Sequence, residues 1–376
     1  MTQKVIETRS DYTILEQYIK EKKIKKIFLV CGNSSYKLPA GVFFSSLESI
    51  QGVELCRFGS FQPNPLYESV KEGVQAFLDS KADCIVAVGG GSAMDVTKCI
   101  KTFATLNQEE DYLEQSIVDN EIPFVAIPTT AGTGSEATHF AVIYRNGEKL
   151  SIAHKSMIPD VVILDSDNLK TLPMYQRQAT MLDALCHAIE ACWSVNAVAE
   201  SDEYVKKAIH MVMQYRDAYL FNEDNGNKMM LKAAYYAGKA INITKTTAAH
   251  AMSYKLTSTY GIAHGHAAAV CLSEVWEHLL SHCEQANIKE SLQKIANAMG
   301  CDNSAQALHL FREILEENHL NMHEGKHECK HECKHSCKED EKLEQLAGSV
   351  NVERLNNHPV KLSREELKEL YRRILS

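Results

Sequence analysis

Up to about residue 164 the chain alternates short apolar runs with amphipathic stretches of helical spacing, and beyond about residue 172 the strand pattern stops. Residues 24–31 (IKKIFLVC), 53–58, 83–88 (DCIVAV), 123–128 (PFVAIP) and 161–164 have the length and composition of buried strands. Residues 11–21, 66–80 and 92–104 read as the intervening helices, with Ser10 placed to cap the first. Such alternation predicts a doubly wound parallel sheet with helices on both faces. Residues 175–192, 201–219, 227–243 and 275–299 then read as helices alone. The expected organisation is an α/β domain over 1–168 and an all-helical domain over 169–376.

The charge balance, 40 basic against 49 acidic side chains, gives a net charge of −9 and disfavours a nucleic-acid-binding face, which needs a basic excess. The amino-terminal MTQKVIETRSDY has no apolar core of a signal peptide, and no run approaches the length of a membrane span. Most of the 12 cysteines stand singly in apolar segments, Cys84, Cys99, Cys186 and Cys271 among them, and read as reduced core thiols of a cytoplasmic protein. The expected partner is a small molecule, with neither nucleic acid nor membrane.

Two loops carry the first chemical signal. Gly89, Gly90, Gly91 and Ser92 lie between a strand and a helix that continues through Asp95 and Lys98. Glycines there let the backbone approach a phosphate, and the helix start offers free N–H groups. Thr129-Thr130-Ala131-Gly132-Thr133-Gly134-Ser135-Glu136 follows the next strand. Two such loops at neighbouring strand ends would face one crevice, where open α/β sheets bind dinucleotides. The spacing is not the usual G-x-G-x-x-G.

The second signal lies in the helical half. Asp183 and His187 in LDALCHAIEA are four residues apart, on one face of an apolar helix. His250 and His264 stand in HAMSYKLTSTYGIAHGHA. One carboxylate and three imidazoles can close around a divalent ion, and suit Fe(II) or Zn(II) better than Mg or Ca.

The sequence resembles the iron-dependent (group III) alcohol dehydrogenases, of the dehydroquinate-synthase-like fold. The likeness rests on GGGSAMDVTK, IPTTAGTGSE, IPDVVILD, LDALCHAIEA, HAMSYKLTSTYGIAHG and VNVERLNNHPVKLSREEL, in that order. It implies Asp183, His187, His250 and His264 as metal ligands. It also implies Gly89, Gly90, Gly91, Ser92 and Asp95 as the pyrophosphate and ribose loop, and Thr129, Thr130, Thr133 and Ser135 as a second nucleotide wall. Asn64 and Lys149 fall where the family touches the coenzyme. A homo-oligomer, dimer or larger, is expected.

Three departures refine this reading. Many members carry a histidine, often assigned to proton relay, where this chain has Tyr254, so the relay falls to Tyr254, another group such as His266, or water. NAD-preferring members often carry an aspartate where this chain has Gly32, followed by Asn33-Ser34-Ser35. Loss of that carboxylate removes its repulsion of a 2′-phosphate, so NADPH is expected to serve at least as well as NADH. The segment from Ile241 looks most like the phosphonoacetaldehyde reductases, and Lys245 and Lys255 bracket His250 as candidate substrate cations. Thr246 and Thr247 could cap a helix there and add anion-binding N–H groups.

A last oddity is NMHEGKHECKHECKHSCKED, where His323, His327, His331 and His335 alternate with Cys329, Cys333 and Cys337. It reads as an insertion over 323–338 that could bind soft metals apart from the catalytic site. The leading expectation is a metal-dependent NAD(P)H aldehyde reductase, forming 2-hydroxyethylphosphonate from phosphonoacetaldehyde. Lactaldehyde or butyraldehyde are the alternative substrates. The competing class is a metal-binding protein on a degenerate dehydrogenase.

Overall fold

The computed structural model describes residues 3–282, 284–322 and 339–376. The His/Cys-rich insertion at 323–338 lies outside the described residues. The chain divides into two compact units, Met1–Leu172 with Asn222–Leu231, and Pro173–Phe221 with Lys232–Ser376.

The first unit is built on eight strands and four helices: β1 (Lys4–Thr8), α1 (Thr13–Glu21), β2 (Lys26–Cys31), α2 (Pro39–Gln51), β3 (Glu54–Phe58), α3 (Tyr67–Ser80), β4 (Cys84–Gly89), α4 (Gly91–Phe103), β5 (Phe124–Pro128), β6 (Phe140–Arg145), β7 (Glu148–Ala153) and β8 (Val161–Asp165). Six strands form one parallel sheet in the order β1-β8-β5-β4-β2-β3. Ile27 to Cys31 and Ile85 to Val88 are all buried whichever face they point to, which is why these strands read as continuous apolar runs. Ile27, Leu29, Cys31, Val86 and Val88 join Leu15, Ile19, Phe44 and Leu47 in one core cluster.

Several features differ from the sequence reading. β1 pairs with β8 at the sheet edge. β6 and β7 form an antiparallel hairpin, turning at Asn146 and Gly147 with φ of 54° and 79°, the left-handed pair such turns require. Ser10 does not cap α1. Its own φ is 54°, its hydroxyl donates to Asp167 Oδ2 at 2.9 Å, and Asp11 Oδ1 accepts from Thr13 N instead.

The second unit is helical: α5 (Met174–Trp193), α6 (Ala199–Leu220), the rest of α7 (Asp224–Thr244), α8 (Ala248–Tyr260), α9 (His264–His282), α10 (Ala286–Met299), α11 (Ser304–Glu317), α12 (Glu339–Gly348), α13 (Val352–Leu355) and α14 (Arg364–Leu375). The single helix expected over 275–299 is two, α9 and α10. The start of α7 belongs to the first unit for a visible reason. Asp224 pairs with Arg9 at 2.8 Å and Lys170 at 3.1 Å, and Lys228 pairs with Glu7 at 3.3 Å. Among the described residues no helix is long and apolar enough to cross a membrane.

Candidate active site

In the second unit, Asp183 and His187 leave one face of α5, as their spacing requires, and His250 comes from the first turn of α8. One ligand atom from each lies within 4.8 Å of the others, and all three are buried. The His187 and His250 rings stack at 4.3 Å, and His250 Nε2 is 3.4 Å from Asp183 Oδ1. Burial alone would raise the Asp183 carboxyl; His187, His250 and His264 outweigh it and hold it below the usual carboxylate range. His264 stands one ring further out, 5.3 Å from His250 between centroids. Gly265 lets α9 come this close. A Cβ there would lie 2.0 Å from Ala179 O and 2.7 Å from Asp183 Cβ.

A carboxylate and two imidazoles converging in a buried cluster, with a third imidazole beside them, fit a divalent transition ion. Such an ion would balance the buried charge of Asp183.

Glu190, missed by the sequence reading, completes the group from behind. It lies on α5 seven residues after Asp183, so Asp183, His187 and Glu190 follow one helical stripe. One of its oxygens takes the His250 Nδ1 hydrogen bond, leaving Nε2 toward Asp183. The other accepts from Thr247 N at 3.1 Å, Ala249 N at 3.0 Å and Thr247 Oγ1 at 2.6 Å. Burial works against this charge, but His250 and Thr247 hold the Glu190 carboxyl down at about 2.

This arrangement corrects the anion site expected at the start of α8. The free N–H groups there are taken by Glu190, because a buried carboxylate and an open helix end satisfy each other. Neither threonine hydroxyl caps the helix: Thr247 bonds Glu190, and Thr246 Oγ1 accepts from Arg354. Lys245, in the left-handed region at φ 58°, and Lys255 are both exposed.

The two relay candidates are placed differently. Tyr254 is half-buried and its ring stacks on His264 at 5.3 Å, with the Arg354 guanidinium 5.1 Å from the Tyr254 ring centroid. His266 is buried, with Nδ1 3.2 Å from the Tyr175 hydroxyl, which in turn accepts from Ala263 N.

In the first unit, the loops after β4 and β5 touch. A Cβ on Gly90 would lie 3.2 Å from Thr130 Oγ1, and one on Gly91 2.9 Å from Thr133 Cγ2. Thr129 N donates to Gly89 O at 3.0 Å. These glycines leave a bare backbone at the start of α4, beside Ser92, that fits a pyrophosphate. Asp95 and Ser135, expected to face the coenzyme, hold each other: Ser135 Oγ donates to Asp95 Oδ1 at 2.8 Å, and Val142 N to Asp95 Oδ2 at 3.1 Å. Beneath them the buried Lys98 donates to Ser135 O, Ser135 Oγ, Thr138 Oγ1 and Phe140 O, between 2.6 and 2.9 Å. Lys149 is close enough to lower the Asp95 carboxyl, though burial of Asp95 raises it more. Asn64 is exposed, with φ of 59° in the turn before α3. Gly32, Asn33 and Ser34 form the loop leaving β2.

The family model described as Iron-containing alcohol dehydrogenase matches residues 2–166, and the one described as Fe-containing alcohol dehydrogenase family, C-terminal, matches residues 177–375. The chain belongs to the iron-containing alcohol dehydrogenase family. It is an oxidoreductase by that membership. Long-chain-alcohol dehydrogenase 1 of Geobacillus thermodenitrificans is 32% identical over 249 residues, 64% of this chain and 62% of that protein. The NADPH-dependent butanol dehydrogenase of Clostridium saccharobutylicum is 30% identical over 299 residues, 75% of this chain and 72% of that protein. The solved iron-containing alcohol dehydrogenase of Thermococcus thioreducens superposes with a TM-score of 0.88 at 25% identity, covering 99% of this chain and 98% of that one.

Proposed function

We propose that this enzyme is a metal-dependent, nicotinamide-linked alcohol dehydrogenase working as an aldehyde reductase. The observation that carries this reading is the buried Asp183–His187–His250 group, with His264 beside it. These four would hold Fe(II) or Zn(II), which when bound supplies Lewis-acid polarisation of a carbonyl oxygen. The Gly89–Gly91 backbone, Ser92, Thr129, Thr130 and Thr133 would hold the coenzyme, NADPH or NADH, which supplies the hydride. Glu190 orients His250. Tyr254, half-buried against His264, suits delivery of a proton to the product oxygen better than His266, whose ring is buried against Tyr175. The bonding between Asp95 and Ser135 gives them a supporting role beneath the coenzyme loops. Asn64 and Lys149 are proposed coenzyme contacts by family likeness alone.

For the substrate we propose phosphonoacetaldehyde, giving 2-hydroxyethylphosphonate, supported by the likeness of the segment from Ile241 to the phosphonoacetaldehyde reductases. A second reading has a structural observation in its favour. Glu190 occupies the N–H groups at the start of α8, and Lys245 and Lys255 are exposed, so a dianion gains nothing from that helix end. Small neutral aldehydes such as lactaldehyde or butyraldehyde then become the substrates. Initial rates with phosphonoacetaldehyde, lactaldehyde and butyraldehyde, each with NADPH and NADH, decide between them. A kcat/KM for phosphonoacetaldehyde at least tenfold above the others supports the first reading. The reverse order overturns it.

A further inference from the structure

The coenzyme reading leaves open what would meet a 2′-phosphate, and the sequence offered only the absence of an aspartate at Gly32. We propose that Arg57 is the residue that receives the 2′-phosphate of NADPH and so sets the choice of coenzyme. The inference rests on the proposed function, since it presumes a nicotinamide dinucleotide on this sheet.

The topology supplies the place. β2 lies between β4 and β3, and β4 between β5 and β2, so the connection after β2, to β3, runs to one side and the connection after β4, to β5, to the other. Open α/β sheets hold their ligands at the carboxyl ends of strands around such a reversal. The loop leaving β2 reaches the glycine loop, with Ser35 Oγ 3.8 Å from where a Cβ on Gly89 would stand. A Cβ on Gly32 would meet nothing within 4 Å. The space an acidic side chain would fill is open.

Arg57, near the end of β3, folds back onto the residues on either side of Gly32. Its Nε donates to Cys31 O at 3.0 Å and its Nη2 to Asn33 Oδ1 at 2.6 Å. The guanidinium lies over the Tyr36 ring, 4.3 Å from its centroid. Gly59 makes room for the fold-back, because a Cβ there would lie 2.8 Å from Cys31 O and 3.2 Å from Arg57 Nη2. The side chain is thus set in place by a carbonyl, an amide oxygen and an aromatic face, all of them neutral. None offsets its charge, and the guanidinium keeps further N–H donors for a ligand. Arg57 is exposed, so that charge is accessible. A guanidinium positioned on the loop that carries Asn33 and Tyr36 is the chemistry that recognises a phosphate dianion. The 2′-hydroxyl of NADH has no charge to offer it.

The test is direct binding without aldehyde: calorimetric titration of NADPH and NADH into the metal-loaded enzyme, wild type, Arg57→Gln and Arg57→Lys. The expected result is a Kd for NADPH at least tenfold weaker in Arg57→Gln, a smaller loss in Arg57→Lys, and NADH affinity changed less than threefold. Equal weakening for both coenzymes, or none for NADPH, overturns the proposal while leaving the dinucleotide reading intact. Failure of the wild type to bind either coenzyme overturns both. Should Arg57→Gln fail to fold, phenylglyoxal modification of the wild type, read at Arg57 by mass spectrometry, gives the same decision. Protection by NADPH and not by NADH is expected, and equal protection by both, or by neither, overturns the proposal.

Discussion

Glu190 and His250 are joined by a hydrogen bond from the imidazole Nδ1 to the carboxylate, and the same carboxylate closes the amino end of the helix that carries His250. Position, tautomer and helix start are therefore set by one buried side chain. Glu190→Gln keeps the shape but loses the charge, and metal affinity should fall about 10- to 100-fold, the usual effect of removing a partner of a metal-bound imidazole. Metal content after dialysis against graded chelator measures this. Unchanged retention would mean that Glu190 serves the helix alone.

His250→Ala removes a member of the buried group itself. Metal and reductase activity should be lost together, while the helical content by circular dichroism persists. Loss of activity with metal fully retained would remove His250 from the ligand set.

Gly32→Asp places a carboxylate in the open space beyond β2. It should shift the NADPH-to-NADH ratio of kcat/KM toward NADH by about tenfold or more, roughly 1.4 kcal/mol, through repulsion of the 2′-phosphate. The wild type is expected to use NADPH at least as well as NADH. A strong native preference for NADH would defeat the argument before any mutation is made.

The parallel sheet and the helical second half are legible because both depend on hydrophobic period, which short and long runs display alike. β1 is not, since KVIET at a sheet edge buries only Ile6. The β6–β7 hairpin carries its own signal in Asn146-Gly147, which the strand–helix alternation around it obscures. The break between α9 and α10 has no glycine or proline to announce it. In the site, Asp183 and His187 are legible as ligand types at helical spacing, and His250, on a separate helix, as a ligand type alone. Glu190 lies on the same stripe, but its task depends on a helix start some 60 residues away, and no local pattern reports that. Arg57 reads as an ordinary exposed strand residue until the fold-back over Tyr36 is seen.

Glu136 gives a pH test. Its carboxyl is buried, Oε1 has no hydrogen-bond partner, and burial raises the group to about 7 against the opposing pull of its own backbone N–H and Lys98. Because the folded protein holds this proton more tightly than the unfolded chain, the group's contribution is full below about pH 4.5 and is lost as pH rises through 7. Glu136→Gln should therefore raise stability at pH 8 relative to wild type, by about 1–3 kcal/mol, with a smaller gain at pH 5. Thermal melts at the two pH values check it. An equal Tm difference at both would assign the effect to packing.

The pairing of β1 with β8 runs from Lys4 opposite Val161 to Thr8 opposite Asp165, and Asp224 at the start of α7 is tied back to Arg9 and Lys170. During synthesis the first strand made must then wait, unpaired, until the last strand of its sheet has left the ribosome. The unit itself stays incomplete until Leu231 follows. Closing so long a loop is an entropic delay that precedes any gain from the contact. Cutting the gene at the apparent end of the α/β region, after Leu172, would leave Arg9 and Lys170 without their partner at Asp224, so a fragment meant to carry the parallel sheet should be taken through α7.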